Sequence, residues 1–193
     1  SIDKDVKILI VENSETFVHK NKILSKFNNV EILCTGKNLG YGGGNNFGIN
    51  TVKTDYILIL NPDVVCGKDF FTNLRGVIEE SKDFTIIGCQ YLQDKIFMPA
   101  GFFDNKENEK FTKCFKNDEI NDLVKVDWVT GCSMLLNLKK FDNKKIFDEN
   151  FFLYFEESDF CLRAYKKYKN YQINNIQLTH NVGTSVTTNN KSE

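Results

Sequence analysis

Asp63 is a residue whose type and position can support chemistry. It follows an apolar run from Tyr56 to Leu60, across Asn61 and Pro62. The run is too short for a typical helix and has no polar face, so it predicts a central strand buried on both sides. Pro62 ends that strand and leaves Asp63 just past its carboxyl end, where open α/β sheets bind ligands. A carboxylate there could hold a metal ion or a sugar hydroxyl, or simply cap the next turn.

A second candidate is the acidic start of a predicted helix, formed by Glu156, Glu157 and Asp159. Acidic first turns often only complement the helix dipole, and Asp159 lies four residues before Arg163, as in a surface ion pair. The aromatic-rich run at 151–155 argues for chemistry instead, because it is expected to bury the helix start. Burial raises the pKa of a carboxyl group, which suits a general base.

Glycine and asparagine dominate a third segment, at residues 36–48. No register supplies the G-x-G-x-x-G spacing of a dinucleotide-binding loop, and no G-K-[ST] of a P-loop is present. A glycine-rich loop still lets the backbone approach a ligand, while amides add donors and acceptors; the alternative is a tight turn from strand to helix. The residues concerned are Asn38, Gly40, Gly42, Gly43, Gly44, Asn45 and Asn46.

Three other residues are weaker candidates when each is taken alone. His180 follows a predicted strand and can ligate a metal, but a lone histidine is more often structural or exposed. Trp128 and Gly131 suggest a flat aromatic platform beside a close backbone turn. Such a platform suits stacking against a sugar ring, and the pattern is equally consistent with Trp128 in an ordinary core.

The elements that must position these residues alternate between strands and helices. Strands are predicted at 6–11, 30–34, 56–60, 84–89, 124–129 and 171–178, with a further apolar run at 132–136. Helices are predicted after residue 14, after the glycine-rich loop to about 53, at about 68–82 and at about 155–169. This alternation predicts an α/β fold with a mostly parallel central sheet flanked by helices. Residues 94–123 predict irregular hairpins and loops, and the tail at 184–193 is expected to be mobile.

The composition is that of an ordinary soluble globular chain. Of its 193 residues, 41% are hydrophobic and 26% are charged, with a net charge of -1 that favours no nucleic-acid partner. The six cysteines form no C-x-x-C pair, which disfavours zinc and predicts a reducing, cytoplasmic setting. No apolar stretch reaches the about 20 residues that span a bilayer, so any membrane contact is expected to be peripheral.

Taken in order, these segments resemble the motifs of the family 2 glycosyltransferases, and most closely the rhamnosyltransferase-like branch with its nucleotide-diphospho-sugar transferase (GT-A) fold. The motifs are V-E-N-S at 11–14, N-L-G-Y-G-G-G-N-N at 38–46, L-N-P-D at 60–63, V-T-G-C-S-M-L at 129–135, F-D-E-N-F-F-L-Y-F-E-E-S-D at 147–159 and His180. They cover nearly the whole chain. The resemblance implies one domain, with a donor-binding half at about 1–90 and an acceptor-side half at about 91–183.

The resemblance also implies a donor site for a nucleotide-diphospho-sugar. Glu12 stands where the family has an aspartate that contacts the nucleoside. The donor pocket would be lined by Asn38, Gly40 and Asn45. Asp63 would coordinate a divalent ion, Mn²⁺ or Mg²⁺, that bridges the donor diphosphate, and His180 would complete the coordination.

On the acceptor side, Glu157 aligns with the family's base, an aspartate that deprotonates the acceptor hydroxyl. The glutamate is one carbon longer, and a misplacement of about 1 Å can cost around a hundredfold in rate, so Glu156 is the alternative base. Trp128, Gly131 and Asp159 are the candidate acceptor-side residues. The acceptor is expected to be a glycan, or a lipid-linked glycan at the inner membrane face.

The resemblance has one large gap, because the family begins with a strand-helix unit upstream of Val6 that this sequence lacks. That unit normally forms part of the nucleobase pocket, so either the chain is trimmed or donor binding is impaired. The leading hypothesis is an inverting, metal-dependent glycosyltransferase in surface polysaccharide synthesis. The alternative is a degenerate, non-catalytic domain that binds sugar nucleotides or glycans. A Rossmann-type oxidoreductase is disfavoured by the absent fingerprint.

Overall fold

A computed structural model describes residues 5–81, 83–93, 96–98, 100–116, 123–143, 145–165, 167 and 169–181. The chain divides into two compact units, both made of separate stretches of sequence. The first unit comprises Ser1–Asp55 with Leu138–Phe160, and the second comprises Tyr56–Asn137 with Cys161–Glu193. The predicted mobile tail at 184–193 lies outside the described residues, and the single-domain organisation remains a prediction.

The first unit contains a small parallel sheet and the helix that follows it. Its elements are β1 (Ile8–Glu12), α1 (Lys20–Leu24), β2 (Val30–Cys34) and α2 (Gly40–Thr51). Strands β1 and β2 run parallel in a register that pairs Ile8 with Val30 and Glu12 with Cys34. Short runs of β-branched and leucine side chains favour such strands. Because β1 ends at Glu12, the polar residues that come next lie just past its carboxyl end.

The glycine-rich segment is largely helical, which corrects the expectation of a glycine-rich loop. Helix α2 begins at Gly40, so Gly42, Gly43, Gly44 and Gly48 lie inside it, and all are buried. Glycine is among the least favourable residues in a helix interior, so local preference argues against this helix. Contacts with neighbouring segments of the first unit must offset that cost.

The second unit is built on a mixed sheet. Within the described residues the sheet has seven strands, with the order β3-β8-β5-β9-β4, while β6 pairs with β5 and β7 pairs with β9. The strands are β3 (Tyr56–Leu60), β4 (Val64–Cys66), β5 (Ile86–Gln93), β6 (Ile96–Met98), β7 (Leu123–Val126), β8 (Ser133–Asn137) and β9 (Asn170–His180). The helices are α3 (Phe70–Glu80) and α4 (Asn105–Lys116), and α5 (Glu156–Tyr165) begins in the first unit and ends in the second.

The strand directions correct the expectation of a mostly parallel sheet. In the described part of the larger sheet, β5 and β9 run parallel, whereas β3–β8, β5–β8, β4–β9, β5–β6 and β7–β9 are antiparallel. A short connection such as that between β5 and β6 can only return the chain as a hairpin. The α/β class with helices beside a central sheet is confirmed.

Strand β3 has the predicted bounds but not the predicted position in its sheet. It lies at one end of the strand order, and Ile59, at 8% exposure, is its one fully buried residue among those described. The core of the second unit is formed instead around β5, β8 and β9, with Phe84, Ile87 and Ile173 among its members. Phe70 and Leu74 of α3 close that core on one side.

Helix α4 falls where irregular loops were expected, so that expectation is wrong for residues 105–116. The Oδ1 atom of Asp104 accepts hydrogen bonds from the backbone amides of Lys106 and Glu107, at 2.9 and 3.0 Å. An aspartate that satisfies the free amides of a first turn is a standard helix N-cap. Phe111 buries its ring against Phe102, with the centroids 5.5 Å apart.

Candidate functional site

The turn after β3 places Asp63 beside the last residue of β9. The backbone amide of Val64 bonds to the carbonyl of Asn61 at 3.1 Å, which closes the turn around Pro62. Strand β4 then pairs with β9 in a register that sets Val64 opposite His180. Asn181 donates its amide to the carbonyl of Asp63 at 3.0 Å, which fixes the turn from the other side.

Asp63 and His180 are therefore neighbours, as a shared role requires. The Oδ1 atom of Asp63 lies 3.2 Å from Nε2 of His180, and the side chains are only 7% and 14% exposed, respectively. The imidazole ring packs edge-on against Tyr91, with the ring centroids 5.4 Å apart. Nδ1 of His180 is buried and has no hydrogen-bond partner among the described residues. A carboxylate and an imidazole held this close can share a proton or ligate one cation.

The helix that carries the carboxylates, α5, starts after a left-handed turn. Tyr154 and Phe155 have φ values of 70° and 72°, a conformation that is uncommon for residues other than glycine. The aromatic run does not cover the helix start as expected, because Phe152, Tyr154 and Phe155 are 57%, 69% and 70% exposed.

Glu156 is the buried carboxylate, at 3% exposure, whereas Glu157 and Asp159 are half-buried. A Cβ atom built on Gly42 would lie 3.6 Å from Cβ of Glu156, so α2 supplies part of the covering. Burial raises the pKa of Glu156, and the nearby charge of Glu157 adds to the increase. Oε2 of Glu156 has no hydrogen-bond partner in the described part of the chain.

Glu156 should make stability fall as the pH rises. Its folded pKa is raised, so above the ordinary value of 4.5 the native state holds a proton that the unfolded state has lost. The stabilisation from the protonated carboxyl is complete below that value and is lost as the pH passes the folded pKa. We expect Glu156→Gln, which stays neutral, to raise the melting temperature at pH 8 more than at pH 4.

The control for that prediction is Glu79→Gln on the exposed surface of α3, which should leave the melting temperature unchanged at both pH values. Thermal unfolding followed by circular dichroism measures both variants. An equal effect of Glu156→Gln at pH 4 and pH 8 would contradict the assignment of a buried, protonated carboxyl.

Protein segments, rather than open space for a ligand, lie against the glycines of α2. Gly40 has φ of 75°, and a Cβ there would lie 2.9 Å from the carbonyl carbon of Phe152. Tyr41 donates its amide to the oxygen of that same carbonyl at 3.0 Å. A Cβ on Gly44 would lie 3.1 Å from the side chain of Asn13. Gly40 therefore allows α2 to approach the segment that leads to α5, and Gly44 allows it to approach Asn13.

Gly40→Ala is expected to destabilise the protein by about 2–6 kcal/mol. Left-handed backbone strain for a residue with a Cβ costs about 1–3 kcal/mol, and overpacking a filled site adds about 1–3 kcal/mol. Gly36 is a matched control, because its φ is 77° and no described atom lies within 4 Å of a Cβ built there. Urea denaturation should show a smaller loss in the free energy of unfolding for Gly36→Ala than for Gly40→Ala. Equal losses would show that the contact with Phe152 does not contribute to the effect.

Asn13 is a connecting residue that the sequence analysis missed. Its Nδ2 donates to the carbonyl of Gly40 at 2.8 Å and to Oδ1 of Asn38 at 3.2 Å. Its Oδ1 accepts from the amide of Leu39 at 2.9 Å, so it holds the start of α2 against the end of β1. Its place directly after a strand and Glu12 was the available signal.

The predicted donor-side residues Glu12, Asn38, Gly40 and Asn45 all lie in the first unit. Glu12 ends β1, and its carboxylate accepts a hydrogen bond from the hydroxyl of Ser14 at 2.7 Å. Oδ1 of Asn38 accepts from the amide of Gly40 at 3.0 Å. Nδ2 of Asn45 donates to the carbonyl of Tyr41 at 2.9 Å, within the helix. Glu12, Asn38 and Gly40 thus lie around the end of β1 and the start of α2.

Trp128 and Gly131 lie in the second unit, between β7 and β8. Trp128 is half-buried and forms an isolated antiparallel bridge with Gly101. A Cβ on Gly101 would lie 2.7 Å from the indole ring, so one edge of the ring is packed against protein. The part that remains accessible is the part that could contact a ligand.

A family model agrees with the motif order. The model for glycosyl transferase family 2 matches residues 2–137 of this chain. The chain belongs to glycosyl transferase family 2. Curated relatives place it near sugar transferases: it is 28% identical over 185 residues to the rhamnosyltransferase WbbL of Escherichia coli K12, covering 83% of this chain and 67% of that protein.

A second relative has a similar level of identity. The low-salt glycan biosynthesis hexosyltransferase Agl10 of Haloferax volcanii is 28% identical over 167 residues, covering 82% of this chain and 53% of the relative. This family 2 chain therefore spans between about half and two thirds of the length of these two relatives. Rhamnosyl and hexosyl transfer are the activities that the relatives' names state.

Solved structures confirm the GT-A fold. The chain matches Staphylococcus aureus TarS 1–349 with a TM-score of 0.64 and 12% identity, over 93% of this chain and 52% of that one. It matches the mannosyltransferase PcManGT of Pyrobaculum calidifontis, solved with GDP-Man and Mn²⁺, with a TM-score of 0.61 and 8% identity, over 92% and 48%. At these identities the likeness concerns the fold alone.

Among the described residues, no helix combines the length and apolar character needed to cross a bilayer.

Proposed function

We propose that this family 2 chain is the core of an inverting, metal-dependent glycosyltransferase that moves a sugar, such as rhamnose, from a nucleotide-diphospho-sugar to a glycan acceptor. The observation that carries the proposal is the pair of Asp63 and His180, whose ligating atoms lie 3.2 Å apart at the end of neighbouring strands. The pair occupies the motif positions that the family resemblance assigned to the donor diphosphate. The product would be part of a surface polysaccharide.

The carboxylate oxygen and imidazole nitrogen of this pair suit a divalent cation. Two ligands bound at right angles, each about 2.1 Å from one ion, lie about 3 Å apart, which is close to the separation of Asp63 Oδ1 and His180 Nε2. The described residues contain no cluster of three or more candidate ligands. Mg²⁺ and Mn²⁺ accept such sparse protein sites, because waters and substrate phosphates complete the shell. A bound cation would supply charge that stabilises the departing nucleoside diphosphate.

Inverting transfer also needs one base for the acceptor hydroxyl, and we assign it to Glu157. Its half-buried carboxylate can be reached by a substrate, whereas Glu156 is 3% exposed. Glu157 takes the proton from the acceptor oxygen as that oxygen bonds to the sugar and the bond to the diphosphate breaks.

The donor is proposed to be dTDP-rhamnose or a UDP-sugar, bound around the end of β1 and the start of α2 through Glu12, Asn38 and Asn45, while Gly40 packs against Phe152. Support comes from the hydrogen bonds that join Asn38 and Gly40 beside Glu12, and from structural neighbours whose names state GDP-Man or UDP-GlcNAc as ligands. The acceptor is proposed to be a glycan, or a lipid-linked glycan at the inner face of the membrane. That acceptor would place the protein in the cytoplasm, in peripheral contact with the bilayer.

Calorimetry and a transfer assay with the purified chain test the proposal. Binding of UDP, dTDP, GDP and their sugars is measured with Mn²⁺, with Mg²⁺ and with a chelator. Release of nucleoside diphosphate is then followed with and without a glycan acceptor, and the anomeric configuration of the product is read by NMR. Cation-dependent transfer with inversion is the expected result.

Three other results would reject all or part of the proposal in different ways. Tight binding of a sugar nucleotide without turnover would support the alternative, a non-catalytic binding domain. Transfer at full rate in the presence of the chelator would reject metal dependence while leaving the transferase assignment standing. If no nucleotide or sugar nucleotide binds, the donor assignment itself fails.

A further inference from the structure

Asn46 is a buried amide in the middle of α2, at 1% exposure. Its Nδ2 donates to the carbonyl of Phe147 at 2.9 Å and to Oε1 of Glu149 at 3.0 Å. Its Oδ1 accepts from the backbone amides of Ile146 and Phe147, at 3.1 and 3.0 Å. An amide group is the side chain that supplies two donors and an acceptor oxygen with two lone pairs. The site therefore requires the chemistry of asparagine as well as its size.

The clamped segment is the one that leads to the proposed base. Asn46 holds its start at Ile146 and Phe147, while the amide of Tyr41 holds the carbonyl of Phe152 at 3.0 Å. Both anchors come from α2. After the second anchor, the chain passes through the left-handed turn and enters α5, which carries Glu157 in its first turn.

Phe147 links the clamp to the helix by direct packing. It is 1% exposed, and its ring lies 5.4 Å from the ring of Phe160, one turn after Glu156 in α5. The same ring contacts Tyr41 of α2 at 5.8 Å. Because the backbone of Phe147 is bonded at both its amide and its carbonyl to Asn46, the position of this ring depends on that amide. Packed side chains transmit such small displacements because interiors are nearly void-free.

We propose that Asn46 is a positioning residue for the acceptor base: through Phe147 and Phe160 it sets the orientation of the first turn of α5. This inference rests on the proposed function for the part that concerns catalysis. Asn46 itself contacts no reacting group. Its substitution should therefore affect the rate of transfer and leave donor affinity unchanged.

The decisive variant is Asn46→Asp, which keeps the size and the acceptor oxygen but replaces the NH₂ group and its two donors with a second acceptor oxygen. The new carboxylate also faces the carboxylate of Glu149. The expected result is a fall in kcat of about a hundredfold, the cost of a misplacement of about 1 Å in a catalytic group. The KM for the acceptor and the calorimetric Kd for the nucleotide should stay as in the wild type.

Two further variants make the test specific. Asn50→Asp is the same change on the exposed face of α2, and it should leave kcat unchanged. Adding Glu149→Gln to Asn46→Asp supplies an amide donor that faces the new carboxylate, so it should recover part of the lost kcat. A merely structural role for Asn46 predicts loss of folded protein at unchanged kcat per folded molecule.

Hydrogen exchange measured by mass spectrometry gives a readout that does not depend on activity. Asn46→Asp should accelerate exchange at residues 146–152 and in the first turn of α5, relative to Asn50→Asp. If Asn46→Asp does not fold, Phe147→Leu tests the same link, because it keeps the backbone bonds and removes the ring contact with Phe160. Unchanged exchange in α5 would overturn the inference, and so would unchanged kcat in an active enzyme.

The failure of this inference and the failure of the proposed function are distinguishable. If Asn46→Asp alters hydrogen exchange in α5 but the wild-type chain transfers no sugar, the link from Asn46 to α5 stands and the proposed function is rejected. If the wild type is active and both Asn46→Asp and Phe147→Leu have normal kcat, the role of Asn46 is rejected and the proposed function stands.

Discussion

Glu157→Gln is expected to lower the rate of sugar transfer by about 10²- to 10⁴-fold, the range that a positioned general base contributes. Glutamine keeps the shape of the side chain but cannot take the proton of the acceptor hydroxyl. Calorimetry with the donor nucleotide should give the wild-type Kd, because the base acts on the acceptor. The effect should appear in kcat measured under saturating donor and acceptor.

Glu80→Gln, on the exposed end of α3, is the control for charge removal and should transfer sugar at the wild-type rate. Glu156→Gln supplies the critical comparison, because Glu156 is the alternative base. If Glu156→Gln loses more activity than Glu157→Gln, the base is the buried carboxylate and the present assignment is wrong.

Asp63→Asn is expected to lower transfer by about 10²- to 10³-fold, the effect of losing one group that stabilises charge in the transition state. Asparagine keeps the size of the side chain, and the backbone bonds that close the turn after β3 do not involve that side chain, so the turn should fold normally. What is lost is the negative charge that would hold the cation at the donor diphosphate. Activity should therefore need a higher concentration of Mn²⁺ to saturate.

Metal affinity measured with and without nucleotide tests the same site independently of turnover. Asn61 stands where a second carboxylate would strengthen cation binding, so the wild type should bind Mn²⁺ weakly until the donor diphosphate is present. Asp69→Asn, exposed at the start of α3, should change neither affinity nor rate. Wild-type activity and wild-type Mn²⁺ dependence in Asp63→Asn would exclude Asp63 from the site.

Local sequence predicts the short strands well. Strands β2 and β3 have the predicted bounds at both ends, because each is a brief apolar run that stops at turn-forming or polar residues. The position of Asp63 past the end of β3 is predicted in the same way, because Asn61 and Pro62 end that strand. The order of motifs along the chain predicted the family correctly.

Helix α2 shows where local preference is insufficient, whereas α4 does not. Five glycines in α2 argue against a helix, yet Asn13 bonds to its first residue, and Asn46 and Tyr41 within it bond to Phe147 and Phe152. Helix α4 did carry local signals: the cap at Asp104, several lysines and glutamates, and Phe111, Cys114 and Phe115 at helical spacing. For α2, in contrast, side-chain contacts and not average propensity account for the element.

The sequence by itself determined the residue types available for chemistry, the strands that end beside them and the family to which the chain belongs. The resemblance implied that Asp63 and His180 act together, but only the tertiary structure showed how residues so far apart in the chain become neighbours. The pairing of Asp63 with His180 depends on the register between β4 and β9, two strands that are distant in sequence. The burial of Glu156 but not Glu157 depends on α2, because a periodic pattern of residues does not reveal which neighbouring segment will cover each face.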